Sequence, residues 1–112
     1  MRKGYGDEYR TKQMLVEQYG RDNVIKVAIG SFGADFLIFQ KGRLMKVVEV
    51  KGTKKGKWHP SQREKEQLWR IYHFSLTHNC DAEIWIWTKN GNKKELRVVS
   101  VEEFIGGNEK CK

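Results

Sequence analysis

Two acids and a lysine interrupt stretches that otherwise read as buried strands. Asp35 opens the run Asp35-Phe36-Leu37-Ile38-Phe39-Gln40, and Glu49 and Lys51 close the run that starts at Leu44. A charge in such a place is costly unless it is paired or binds something. Side chains alternate along a strand, so Glu49 and Lys51 share one face. Asp35 and Glu49 are also equidistant from Gly42, so a symmetric loop of three or five residues makes them direct cross-strand neighbours, with Cβ atoms ~5 Å apart. A two-residue loop would shift the register by one and put them on opposite faces. Two carboxylates that close favour a shared proton or a bound cation. A hard divalent ion with oxygen ligands, Mg²⁺ or Mn²⁺, is the natural occupant. Such an ion polarises a phosphate and acidifies a bound water, while Lys51 neutralises charge or positions the nucleophile, a combination suited to phosphodiester hydrolysis. The competing reading of the three residues is a surface salt-bridge cluster at a sheet edge.

The elements that must position them follow from periodicity. Residues 8–19 read as a helix with Met14, Leu15, Val16 and Tyr19 on one side and Gly20 as its stop. Glu8 begins that helix; it can complete the metal site or serve a second ion, although its charge suits a helix N-terminus without any metal. Strands are expected at 23–29, 35–40 and 44–51, with Ser31-Phe32-Gly33 as a turn or bulge and Lys41-Gly42-Arg43 between the second and third. Val47, Val48 and Val50 make the third strand apolar on both faces, as for a strand inside the sheet. Residues 52–59 are basic and Gly-rich, hence an exposed loop. Ser61-Gln62-Arg63-Glu64 has the form of a capping box, and Leu68, Ile71, Tyr72, Ser75 and Leu76 carry helical spacing to about Asn79. Two more strands at 82–88 and 96–101 flank the turn Asn90-Gly91-Asn92, and 102–105 form a short last helix. Helix, three strands, helix and two strands imply an α/β domain with a mixed sheet and helices packed on it.

The chain has 112 residues, enough for one domain and too few for two. Its 22 Lys and Arg outweigh 14 Asp and Glu, for a net charge of +8, which makes a polyanion the expected partner and nucleic acid the first candidate. No apolar run approaches the ~20 residues needed to span a bilayer, and no basic amphipathic helix with a clean apolar face stands out, so a membrane is not expected. The opening residues, Met1 to Gly6, carry no apolar segment of the secretory kind, and the expected location is intracellular, in the cytoplasm with DNA. Cys80 and Cys111 are not expected to form a disulfide there. His73, His78 and Cys80 straddle a helix end and lack the paired spacing of a zinc site.

Lys3-Gly4-x-x-x-Glu8, Ser31-x-x-x-Asp35, and Glu49-Val50-Lys51 followed by Thr53-Lys54-Lys55 together resemble the PD-(D/E)XK nuclease superfamily, and more narrowly its archaeal-type Holliday junction resolvases. The match runs from about Lys3 to Leu68; Ala34 stands where the family pattern often has Pro. The resemblance implies a restriction-endonuclease-like fold, a central mixed five-stranded sheet flanked by helices. It implies that Glu8, Asp35 and Glu49 ligate Mg²⁺, with Mn²⁺ able to substitute, that Lys51 assists hydrolysis, and that Ser31 is an accessory residue near the scissile phosphate. It also implies homodimers that resolve four-way junctions by paired cleavage. Arg2, Lys3, Lys54, Lys55, Lys57, Trp58 and Gln62 become candidate DNA contacts, with His59 beside Trp58 as a possible stacking partner for bases. A merely solvated loop is the competing reading for the lysines, and packing against a helix for Trp58. Of Trp58, Trp69, Trp85 and Trp87, at least two are expected in the core and the others are candidates for an interface. The alternatives to a resolvase are a related nuclease or nickase with another DNA target, and a non-catalytic binder of branched DNA.

Overall fold

Five strands form one mixed sheet whose spatial order is their order along the chain. The computed structural model describes residues 5–27, 34–54 and 56–105. Helix α1 (Tyr5–Tyr19) and a 3-10 turn (Arg21–Asn23) lead into β1 (Val24–Lys26), followed by β2 (Phe36–Gln40) and β3 (Arg43–Thr53). Helix α2 (Gln62–His78), β4 (Asp81–Asn90) and β5 (Lys93–Ser100) complete the order, with one helical turn at 102–105. β3 and β4 pair in parallel with α2 as their crossover, and the other three pairings are antiparallel.

The two helices cover opposite faces, each over its own core. Leu15 of α1 packs with Val24, Phe36, Ile38, Val48 and Trp85. Leu68 and Ile71 of α2 pack with Val47, Ile84, Ile86, Val99 and Val101. Consecutive residues Val47 and Val48 thus serve different cores, as expected of a central strand. Trp85 and Trp87 are buried, whereas Trp58 and Trp69 are only partly so. Among the described residues no helix is long and apolar enough to cross a membrane.

Several expectations need correction. Helix α1 begins at Tyr5 rather than Glu8, and Met14, expected inward, is 43% exposed. The buried stripe of α1 is instead Asp7, Thr11 and Leu15, one residue per turn and polar in two of three positions, which is why hydrophobic periodicity misplaced it. Leu76 of α2 likewise faces solvent. β5 begins at Lys93, not Leu96, because Asn90 and Lys93 already pair across the two-residue turn Gly91-Asn92. Backbone hydrogen bonds carry that pairing, and an edge strand accepts the charged run Lys93-Lys94-Glu95. Both bonds of the Ser61–Glu64 capping box form as expected.

Thr11 is the polar hinge between α1 and the sheet. Its hydroxyl donates to the Asp7 carbonyl at 2.8 Å and accepts from the Trp87 indole Nε1 at 2.8 Å. Replacing Thr11 with Val leaves a buried indole N–H without a partner, so Thr11→Val is expected to lower unfolding free energy by about 1–3 kcal/mol in urea denaturation. An unchanged midpoint would show that the indole hydrogen bond contributes nothing.

Candidate active site

The β2–β3 hairpin brings Asp35 and Glu49 together by a different route from the one sequence symmetry suggests. Its turn is the two-residue Lys41-Gly42, both at positive φ (53° and 77°), with Gln40 opposite Arg43 and Phe39 opposite Leu44. Continued unbroken, that register would set Asp35 against Val48. Instead the register shifts between Ile38 and Phe39: Ile38 pairs with Lys46, leaving Met45 as an extra residue on β3. Beyond this bulge Phe36 pairs with Val48, and Asp35, the residue before the strand, brings its carboxyl against that of Glu49. Asp35 is fixed by its backbone, which donates to Val48 O (2.9 Å) and accepts from Val27 N (2.9 Å), and by its Oδ2, which accepts from Val50 N at 2.7 Å.

Glu49 is 3% exposed in the middle of the sheet. Burial first, and then the facing Asp35 carboxyl, push its pKa up to about 9, against the opposing pull of Lys51. Burial also raises Asp35, offset in part by its contacts with Glu49 and the Val50 amide. Glu49 Oε2 lies 3.2 Å from Lys51 Nζ, while Glu49 Oε1 is buried with no hydrogen-bond partner. An orphaned buried carboxylate oxygen facing a second carboxyl is a donor set that a hard cation would satisfy.

Lys51 is held from above by α2. Its ammonium lies 3.3 Å from Glu64 Oε2 and 3.5 Å from Gln67 Oε1. Burial alone would lower the Lys51 pKa, but Glu49 and Glu64 outweigh it and the pKa rises, so Lys51 is an ammonium ion throughout the neutral range. Glu64 divides its oxygens, Oε1 accepting from the Ser61 amide at 2.9 Å and Oε2 meeting Lys51. Burial pushes the Glu64 pKa up, yet the Ser61 amide and Lys51 together hold it below the usual carboxylate value.

Glu8 stands apart from this group. Its Oε1 is 2.8 Å from Lys26 Nζ, and both side chains are more than one-third exposed. Its charge still reaches Asp35 and helps raise that carboxyl's pKa. Among the described residues no three His, Cys, Asp or Glu side chains are arranged to hold a metal ion, so the structure brings together two of the three expected ligands. The same statement covers His73, His78 and Cys80: His73 stacks on Trp69 and His78 lies against Phe74. Cys80 is a free thiol, and Cys111 lies outside the described residues.

Of the other expected site residues, Arg2, Lys3, Ser31 and Lys55 lie outside the described residues. Lys54, Lys57, His59 and Gln62 are exposed around the entrance to α2. Trp58 packs edge-on against Phe104, with ring centroids 5.2 Å apart. The sequence reading missed Gln67 and Lys26 altogether, and saw Glu64 only as a cap. The capping box signals where α2 begins, but no spacing rule links Glu64 to a lysine thirteen residues earlier on another element.

No protein-family model matches this sequence, and no curated protein matches it. Among solved structures the fold is similar to that of Hjc, a Holliday junction resolvase from the hyperthermophilic archaeon Archaeoglobus fulgidus, with a TM-score of 0.55 and 20% identity over 80% of this chain and 75% of that one. At that identity the likeness is one of fold: a single α/β domain with a five-stranded mixed sheet between helices, the architecture of a resolvase.

The raised carboxyls make the metal-free protein sensitive to pH. Glu49 is protonated in the fold at pH values where it would be ionised in the unfolded chain, so its contribution to stability is complete at low pH and is lost as pH rises toward about 9. Glu49→Gln, neutral at every pH, should flatten that slope, and its advantage over wild type in denaturant titrations with chelator present should grow with pH. A wild-type protein that gains stability over this range would contradict the burial of a protonated Glu49.

Proposed function

We propose that this chain is a Mg²⁺-dependent endodeoxyribonuclease that resolves four-way DNA junctions by paired phosphodiester cleavage, acting as a homodimer in DNA recombination and repair. The observation that carries the reading is the buried Glu49 carboxyl against that of Asp35, its Oε1 unpartnered and its Oε2 3.2 Å from the Lys51 ammonium. The resolvase-like fold and the net charge of +8 support it.

Asp35 and Glu49 are the residues that would hold the ion, with Mn²⁺ as an acceptable substitute and Glu8 as a third carboxylate once released from Lys26. When bound, Mg²⁺ supplies charge neutralisation at the phosphate and an acidified water. The chain's own contribution is electrostatic and positional. Lys51 is a poor general base because Glu49 and Glu64 keep it protonated, so its work is to offset the negative charge that builds on the phosphate. Glu64 and Gln67 fix where that ammonium stands, and the Val50 amide fixes Asp35. Ser31 is assigned as an accessory residue near the scissile phosphate, and Arg2, Lys3, Lys54, Lys55, Lys57, Trp58 and Gln62 are assigned as DNA contacts.

The test is a cleavage assay on a four-way junction and on linear duplex, with and without Mg²⁺. Paired nicks in the junction alone, dependent on the ion, are expected. Equal cutting of both substrates would reject junction specificity in favour of a nuclease with another DNA target, and tight junction binding without cleavage would leave a non-catalytic binder. Asp35→Ala and Glu49→Ala should abolish cleavage while preserving binding, and Lys51→Met should slow it by about 10²-fold or more, as for loss of a preorganised charge. Full activity in either carboxylate variant would refute the site.

A further inference from the structure

A second carboxylate is buried in this molecule, one residue before Glu8. Asp7 is 5% exposed on the first turn of α1. Its Oδ1 lies 3.1 Å from Lys94 Nζ on β5 and 3.3 Å from Arg10 Nη1 on its own helix. Below it is Gly52, the residue after Lys51 on β3. A Cβ at Gly52 would stand 2.5 Å from Asp7 Oδ2 and 3.7 Å from its Cγ, too close for both to remain. Gly52 is not among the glycines at positive φ, so the backbone itself does not require glycine there. Space for Asp7 does.

We propose that Asp7 is a positioning residue for the active site: seated in the notch left by Gly52 and gripped by Lys94, it fixes the first turn of α1, and therefore Glu8, at a set distance from the end of β3 that carries Glu49 and Lys51. The clamp joins the two chain segments at the points where site residues leave them, Asp7 beside Glu8 and Gly52 beside Lys51. Lys94 holds it from the far edge of the sheet, across β4. Thr11, one turn on, holds the same helix to Trp87, which pairs with Gly52 in the β3–β4 register. The first turn of α1 is thus tied to the sheet at two successive levels, and Glu8 projects from the tied turn toward Lys26 and Asp35.

This inference rests on the reading of Glu8 as a cation ligand, so the experiment includes Glu8→Gln. Mn²⁺ affinity is measured by calorimetry on the full chain, alongside kcat and KM on a four-way junction and the denaturation midpoint. Asp7→Ala and Gly52→Ala should each weaken Mn²⁺ binding about 10- to 100-fold, the usual effect of losing a residue that orients a ligand, and lower kcat while leaving KM for the junction unchanged. The double variant should be no worse than Asp7→Ala alone, because removing the carboxylate makes room for the new methyl group. If Asp7→Ala does not fold, Lys94→Met loosens the same clamp and Lys94→Arg should restore it. A lowered midpoint with unchanged Mn²⁺ affinity and kcat would make the clamp merely structural and overturn the proposal. If Glu8→Gln itself leaves Mn²⁺ affinity unchanged, the reading of Glu8 fails and the proposal falls with it; if Glu8→Gln weakens binding and the clamp variants do not, only the proposal falls.

Discussion

A carboxyl group on the central strand of a sheet, closed to water from both sides, is the constraint around which this molecule is organised. Glu49 belongs to the strand that contributes Val47 and Val48 to the two cores, and its position would suit a valine equally well. Ionising it there is unfavourable unless positive charge is supplied. The chain supplies one such charge, Lys51, to one oxygen and leaves the other bare. The fold tolerates the arrangement because Glu49 can keep its proton when alone. A cation bound there would compete with the proton for this one group, so a charged site can be embedded in a core without unfolding it.

Each helix reaches the site through its N-terminal turn, from opposite faces of the sheet. On one face the capping box that starts α2 also fixes Lys51, since Glu64 has two oxygens and the cap needs only one. A local device for starting a helix thereby becomes a tertiary one that orients the Lys51 ammonium. On the other face α1 is anchored through Asp7 and Thr11, polar residues in the positions where a helix would ordinarily bury leucines. Among the described side chains of α1, Leu15 alone supplies fully buried apolar packing. The helix that carries Glu8 is held by directional hydrogen bonds and ion pairs, which define position more sharply than apolar contact does.

The order of elements along the chain, the mixed sheet and the grouping of Asp35, Glu49 and Lys51 were legible because they depend on period-two patterning and on charge placed where burial is expected. The hairpin shows the limit. Counting from Gly42 implies the register in which Phe36 faces Val48, which is the one observed, yet the turn has two residues, and only the extra Met45 returns the strands to that register. A turn and a bulge that cancel cannot be told from a longer symmetric loop by sequence spacing, because both give the same pairing beyond them. The α1 stripe was misread for a related reason: its inward residues are identified by partners on distant strands, Lys94 for Asp7 and Trp87 for Thr11, rather than by their own hydrophobicity. The same holds for Glu64 and Gln67 at Lys51.

Glu8 is held only by a weak contact. Its partner Lys26 is nearly half exposed, and ion pairs so open to water contribute at most about 1 kcal/mol. Little is therefore lost when the glutamate turns away from it. The opposite holds for Glu49, whose burial fixes it in place. One carboxylate that is rigid and poorly satisfied, a second held by the Val50 amide and a third on a loose tether form a graded set. In such a set the rigid pair defines where a cation would sit, and the tethered glutamate can close on it without dismantling any contact on which the fold depends. Lys26 would then be released beside Asp35, its ammonium free to face a polyanionic strand.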